Sequence, residues 1–133
     1  MNKKSFYELL LSLLGGCLYH QALPDELGSI LIGSGVEKRV FTLLAARLTY
    51  LAHKGILATD MKEFEPITDG IYSMHLTGSG FNIRILYGFF GDERPVLLLA
   101  FHKKAGKSVT DYSKQLPVAL ARLASVRKEY HDV

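Results

Sequence analysis

The sequence has no tryptophan, one cysteine and four prolines among its 133 residues, and it has no long apolar run. The single cysteine, Cys17, excludes an intramolecular disulfide and fits a reducing compartment. No apolar run approaches the roughly 20 residues that span a bilayer, so the sequence predicts no membrane segment. The five histidines are scattered, without a spacing typical of a metal centre, so no metal or other cofactor is expected.

The composition is that of an ordered globular protein, with 48% hydrophobic and 22% charged residues. A length of 133 residues suits one domain with an ordinary core. The net charge of +3 is uneven, because residues 1–80 carry 7 basic and 8 acidic side chains whereas residues 81–133 carry 9 and 5. The basic C-terminal part is compatible with a nucleic acid partner, and an ordinary solvated surface explains it equally well.

The N-terminal segment allows two interpretations. Lys3 and Lys4, followed by a short apolar run and Cys17, resemble a bacterial lipoprotein signal. Glu8 disfavours insertion of that run into a membrane, and Ser5 and Glu8 have the S-x-x-E spacing of a capping box at a helix start. We therefore expect an N-terminal helix and a cytoplasmic protein.

Apolar periodicity predicts two helices in the first part of the chain. The first covers about residues 6–14, and a loop is expected over residues 20–35, where proline and glycine are frequent. The clearest helix follows from about residue 36 to Gly55, with a second capping box formed by Ser34 and Glu37.

Turn residues divide the middle of the chain into three strands, over residues 71–76, 81–90 and 96–101. Residues 56–70 contain a proline and an Asp-Gly pair, and they predict an irregular connection into the sheet. A C-terminal helix follows, with apolar positions at Leu116, Leu120, Leu123 and Ala124. The predicted fold class is α+β, a small antiparallel sheet with N-terminal helices and a C-terminal helix on one face and the other face left for a partner.

Four motifs, taken in order, are similar to those of a known family. They are GIYSMHL at residues 70–76, FNIRILYGFF at 81–90, VLLLAFHKKAGKS at 96–108, and a helix with ALARL at 119–123. Over about residues 36–126 the chain resembles the phage-derived, HigB-type branch of the RelE/ParE toxin superfamily. The order of the motifs carries this resemblance, since no single motif is decisive.

The resemblance implies a RelE-like fold and the toxin of a type II toxin–antitoxin system, an enzyme that enters the ribosomal A site and cleaves mRNA without a metal. The implied partners are a cognate antitoxin of the helix-turn-helix type, the ribosome and mRNA, with no membrane, and the implied assembly is a homodimer or a toxin–antitoxin hetero-oligomer. In such enzymes the ribose 2′-hydroxyl attacks the adjacent phosphate. The protein must accept the 2′ proton, stabilise charge on the phosphorane and protonate the leaving 5′ oxygen.

Transferred residue by residue, the resemblance implies a phosphate contact for Arg84, because a guanidinium can bind two phosphate oxygens. A salt bridge within the sheet is the alternative for Arg84. The paired lysines of the family fall on Lys103, assigned to catalysis, and Lys104, assigned to RNA binding. Successive strand residues face opposite ways, so only one of these lysines can point into a given site.

His75 and His102 are the general acid–base candidates, because imidazole titrates near neutral pH. Lys107 is a candidate RNA contact in the following loop, and Tyr87 is a candidate for stacking on a base. A structural histidine, a solvated lysine and a tyrosine packed in the sheet are the respective alternatives. The odd spacing of Arg84 and Tyr87 places them on opposite faces of a regular strand.

The chain departs from the family pattern in two places. Ser73 and His75 stand where the family has Glu and Arg, so one expected cation is replaced by a weaker, pH-dependent one. Residues 1–35 give a helix and a loop where family members open with a short strand. This segment is therefore expected to be an atypical extension that modifies the fold edge, forms a dimer or binds an antitoxin.

Two other functions stay open. One is a ParE-like inhibitor that binds DNA gyrase, and the other is a non-catalytic, phage-derived binding module, which the missing first-strand arginine favours. A nucleotide-binding P-loop is not supported, because Phe101 stands where the glycine five residues before Gly106 is required.

Overall fold

A computed structural model describes residues 1–91, 94–103 and 111–131, the last residue by its backbone alone. In chain order the elements are α1 (Lys3–Leu14), β1 (Leu18–Tyr19), α2 (Leu23–Leu31), α3 (Glu37–Lys54), a 3-10 helix (Gly55–Asp60), β2 (Phe64–Thr68), β3 (Ile71–Gly78), β4 (Phe81–Phe90), β5 (Arg94–His102) and α4 (Gln115–His131). The predicted α+β class is confirmed, and the three predicted strands correspond to β3, β4 and β5.

The sheet has five strands in the order β1-β5-β4-β3-β2. Strands β2 to β5 form an antiparallel meander, whereas β1 pairs parallel to β5, so the sheet is mixed. The prediction of an irregular connection over residues 56–70 is wrong, because this segment contains a 3-10 helix and β2. Asp69 and Gly70 have φ values of 52° and 79°, the two positive values that a tight type I′ hairpin turn between β2 and β3 requires.

Helices α1, α2 and α3 cover one face of the sheet with the larger core cluster. The deepest residues of α1 and α2 recur at intervals of four, and they are Phe6, Leu10, Leu14, Leu23, Leu27 and Leu31. The apolar faces of α1 and α2 therefore pack into the same core as α3 and the sheet. The predicted loop over residues 20–35 is wrong because α2 forms there, with Pro24 in its first turn, where a missing N–H is tolerated.

Helix α4 packs on the opposite face, so the prediction that all helices lie on one face is wrong. Its Ala119, Leu123 and Val126 belong to a second core cluster. The physical reason lies in β5, where residues 96–100 are all buried, so that both of its faces need a cover. Gly88 of β4 permits the close approach, since a Cβ there would lie 2.9 Å from Leu123 Cδ2.

The helix starts differ from the predicted capping boxes. The N-cap of α1 is Asn2, whose Oδ1 accepts a hydrogen bond from Ser5 N at 2.8 Å, so the box of Ser5 and Glu8 is wrong. At the start of α3, Glu37 Oε2 accepts a hydrogen bond from Gly33 N at 3.2 Å. The N-cap of α3 is Val36, without a side-chain cap, and Ser34 Oγ accepts from Val36 N instead of from Glu37 N, so the box of Ser34 and Glu37 is also wrong.

Two charged side chains close the edge of β5 where β1 ends. Arg122 Nη1 donates to Leu98 O at 2.9 Å, and Ala100 N donates to Glu26 Oε1 at 3.2 Å. Arg122 Nη1 also lies 2.9 Å from each carboxylate oxygen of Glu26. The ion pair thus takes the place of a neighbouring strand and links α2 to α4, because buried backbone groups need partners.

Candidate functional site

Helix α4 covers only part of its face of the sheet, and the remainder carries polar side chains. His75 lies directly opposite Arg84, and Glu65 lies directly opposite Ser73. Directly opposed residues share a face, and alternate residues along a strand do so too. We call this surface the polar end of the sheet, and its residues are Glu65, Ser73, His75, Thr77, Asn82, Arg84 and Tyr112.

Arg84 is the most buried cation of this surface, with 6% of its area exposed. Its Nη1 donates to Asn82 Oδ1 at 2.5 Å and lies 3.4 Å from Thr77 Oγ1. Within residues 1–91, 94–103 and 111–131 it forms no ion pair, and its buried Nε has no hydrogen-bond partner. Arg84 therefore does not form a salt bridge within the sheet, the alternative predicted for it, with any of the described residues. Asn82 and Thr77 hold the guanidinium in place, and its positive charge without an ion partner favours an anion as its ligand.

His75 and Glu65 form a carboxylate–imidazole pair next to this guanidinium. His75 Nε2 lies 3.0 Å from Glu65 Oε1. Burial and then the charge of Arg84 lower the pKa of His75, and they outweigh the opposing effect of Glu65. The imidazole is therefore neutral at pH 7, with its proton on Nε2 facing the carboxylate, and Nδ1 is left as the proton acceptor.

Tyr112, from the segment before α4, holds Glu65 in position. Its hydroxyl donates to Glu65 Oε1 at 2.6 Å and lies 3.0 Å from Ser73 Oγ. Partial burial, the largest single influence, raises the pKa of Glu65, but the hydrogen bonds from Tyr112 and His75 together with the neighbouring charges, including that of Arg84, outweigh it and lower that pKa. Glu65 is therefore ionised at neutral pH and can orient the imidazole.

Glu65 and Tyr112 are candidate site residues that sequence reasoning missed. The pattern of the resembled family has a glutamate at the position of Ser73, and in this chain Glu65, on β2, lies directly opposite that position. The Asp-Gly pair at residues 69–70 was the available signal, because Asp-Gly between strand-like runs predicts a hairpin. No comparable signal pointed to Tyr112, whose contact with Glu65 spans 47 residues.

Two predicted site residues lie on the other face of the sheet. His102 is directly opposite Ile83, so the strand alternation separates it from Arg84 and His75. Tyr87 is also on that face, as the spacing from Arg84 predicted. It is fully buried, and its ring stacks on Tyr72 with the centroids 5.3 Å apart. The prediction that Tyr87 contacts RNA is therefore wrong, because no part of this side chain reaches the surface.

Of the predicted lysines, Lys103 is the one described. Its backbone N donates to Asn82 O at 2.8 Å, which continues the pairing of β4 with β5. The alternation along β5 places Lys103 on the face of Arg84. Lys104 and Lys107 lie outside the described residues.

Four arginines have structural roles, so the positive net charge overstates the number of cations that can bind an anion. Each donates to a backbone carbonyl, in the pairs Arg39 with Ser79, Arg47 with His75, Arg122 with Leu98 and Arg127 with Phe89. The Arg47 contact braces β3 at His75 itself, at 3.3 Å. Among the residues that the structure describes, the cations on this face near His75 are thus Arg84 and Lys103.

The described residues contain no group of three or more histidine, cysteine or acidic side chains that could hold a metal ion. Among the same residues, no helix combines the length and the apolar character needed to cross a membrane.

The lowered pKa of His75 predicts how this residue titrates. Replacing Arg84 with methionine removes a neighbouring positive charge, so we expect the pKa of His75 to rise, as an NMR titration of its ring protons would show. His75 binds a proton less readily in the folded wild type than in the unfolded chain. Its contribution to the free energy of unfolding is therefore fully present above the ordinary histidine pKa of about 6.5, and it is lost as the pH falls through and below that value. An Arg94→Met control, at the far end of β5, should leave the pKa of His75 unchanged; an equal shift in both variants would contradict the assignment.

Comparison with models of known protein families, with curated proteins and with solved structures found no match to this chain.

Proposed function

We propose that this protein is a ribosome-dependent mRNA endoribonuclease, the toxin of a toxin–antitoxin system. The observation that carries the proposal is the neutral imidazole of His75, oriented by Glu65 and directly opposite the buried guanidinium of Arg84. A proton acceptor beside a fixed cation is what cleavage of a phosphodiester by its own 2′-hydroxyl needs. The order of the RelE/ParE-like motifs supports the same conclusion.

In the proposed reaction, His75 Nδ1 accepts the proton of the ribose 2′-hydroxyl, and the 2′ oxygen attacks phosphorus. Arg84 and Lys103 stabilise the charge that develops on the phosphorane oxygens. The bond from phosphorus to the 5′ oxygen then breaks, and this oxygen takes a proton from the Lys103 ammonium. The products are a 2′,3′-cyclic phosphate and a 5′-hydroxyl.

The position of Arg84 suits this role physically. Its Nη1 is fixed by Asn82 and Thr77, so little conformational entropy is lost when an anion binds. Burial also strengthens the attraction between the guanidinium and a phosphate, because water no longer screens the charges. Glu65 offsets the departure at Ser73, and His75 takes a part in proton transfer that the family's arginine does not imply.

The proposed function implies specific partners and a location in the cell. It requires the ribosome and mRNA, and therefore the cytoplasm, and it implies a cognate antitoxin of the helix-turn-helix type.

The test is induced expression in bacteria, with mapping of transcript ends, for the wild type, Arg84→Ala and Arg94→Ala. We expect growth arrest and codon-positioned mRNA cleavage with the wild type and with Arg94→Ala, an exposed arginine at the other end of β5. Arg84→Ala should lower cleavage by roughly 10²- to 10³-fold, the typical effect of removing one group that stabilises transition-state charge.

Other results would assign another function. Intact mRNA together with cleaved-DNA complexes would indicate an inhibitor of DNA gyrase. Normal growth with abundant folded protein would indicate a non-catalytic binding module. Either result would show that the proposed ribonuclease activity is wrong.

A further inference from the structure

Phe101 is an aromatic side chain beside the candidate phosphate site. It lies directly opposite Arg84 on β5, so the two side chains share one face and Phe101 borders the polar end of the sheet. The ring is half-buried, packs against the second core cluster and meets the Tyr112 ring edge to face, with centroids 6.0 Å apart. These contacts fix the orientation of the ring, and part of the ring remains exposed at the surface.

A cation and a surface aromatic ring at opposed positions match the chemistry of a nucleotide. Opposed residues have Cβ atoms about 5 Å apart, so one ligand can touch both. A nucleotide joins an anionic phosphate to a flat aromatic base, and bases stack on phenylalanine rings in complexes with single-stranded RNA. The other aromatic side chains near Arg84 are less suited, because Tyr87 is buried on the opposite face and Tyr112 is hydrogen-bonded to Glu65.

We propose that Phe101 forms a nucleobase subsite, on which the base attached to the Arg84-bound phosphate stacks. This inference rests on the proposed function and names the part of the substrate that a second residue recognises. Every base has a π-face, so the subsite increases affinity for a nucleotide without selecting its sequence. Phe101 thus has the base-stacking role that the sequence predicts for Tyr87.

The experiment compares inorganic phosphate with adenosine 3′-monophosphate as ligands of the full chain. Binding is measured by NMR from the shifts of the Arg84 and His75 side-chain signals. In the wild type we expect the nucleotide to bind roughly tenfold more tightly than phosphate, as stacking of one base on an aromatic ring predicts. Phe101→Leu should abolish this difference and leave the affinity for phosphate unchanged, whereas Phe101→Tyr should retain it.

A matched control is Phe90→Leu, a half-buried phenylalanine near the far end of the sheet, which should behave as the wild type. Phosphate binding in Phe101→Leu reports that the variant is folded. If phosphate binds but the nucleotide binds no more tightly, or if Phe101→Leu keeps the difference, the subsite is wrong and the proposed function stands. If neither ligand shifts the Arg84 signals, the phosphate site of the proposed function is wrong, and the subsite with it.

Discussion

Replacing His75 with alanine is expected to lower the rate of mRNA cleavage by roughly 10²- to 10⁴-fold, the range typical of losing a positioned general base. The structure supplies the reason. Burial and Arg84 keep the imidazole neutral, and Glu65 holds its Nε2 proton, so that Nδ1 is the acceptor. The measurement is single-turnover cleavage of an mRNA on purified ribosomes, with transcript ends mapped by primer extension.

The matched control is His102→Ala, because the sequence predicts the same general acid–base role for both histidines and the strand alternation separates them. We expect this variant to cleave at the wild-type rate. Equal losses in both variants would show that His75 is not the specific base. Glu65→Gln provides a finer test: without the carboxylate the pKa of His75 should fall further, so the acidic limb of the rate profile should move to lower pH.

Replacing Arg122 with methionine is expected to lower the free energy of unfolding by about 3 kcal/mol, the cost of leaving a largely buried charge without its partner. The side chains of Arg122 and Glu26 are only 18% and 24% exposed. The substitution also removes the donor to Leu98 O at the edge of β5. For a domain of this size the melting temperature should fall by about 10 °C, measured by calorimetry or circular dichroism.

Lys54→Ala is the matched control, because Lys54 and Asp60 form an ion pair at 3.4 Å with side chains that are 37% and 52% exposed. Water screens such a pair, so its loss should leave the melting temperature nearly unchanged. The double variant Glu26→Gln with Arg122→Met should lose less stability than the sum of the two single variants, because no unpaired charge remains. Strict additivity would mean that the two residues act independently, contrary to the structure.

Much of the meander could be predicted from the sequence. Glycine-containing turns and β-branched or aromatic runs marked β3, β4 and β5, and helical periodicity marked α3. The odd spacing of Arg84 and Tyr87 placed them on opposite faces, and the structure confirms this separation. These predictions succeeded because turn chemistry and side-chain alternation act over a few neighbouring residues.

The helical cover and the candidate site were not predictable in the same way. The proline and glycines of residues 20–35 predict a loop, yet the apolar residues of α2 gain more free energy by packing on the core than the proline and glycine cost the helix. The hydrogen bond from Tyr112 to Glu65 joins residues 47 positions apart. Which histidine faces Arg84 likewise depends on the pairing between strands.

The sequence by itself thus determined the fold class, the three central strands and the presence of a cationic strand end with Arg84 and Lys103. Only the tertiary structure decided that His75 shares the face of Arg84, that Glu65 lies directly opposite Ser73, and that Glu26 and Arg122 close the edge of β5. The physical reason is the range of the interactions. Local propensities are set by neighbouring residues, whereas strand register and helix packing are set by the sum of many weak contacts between segments far apart in the chain.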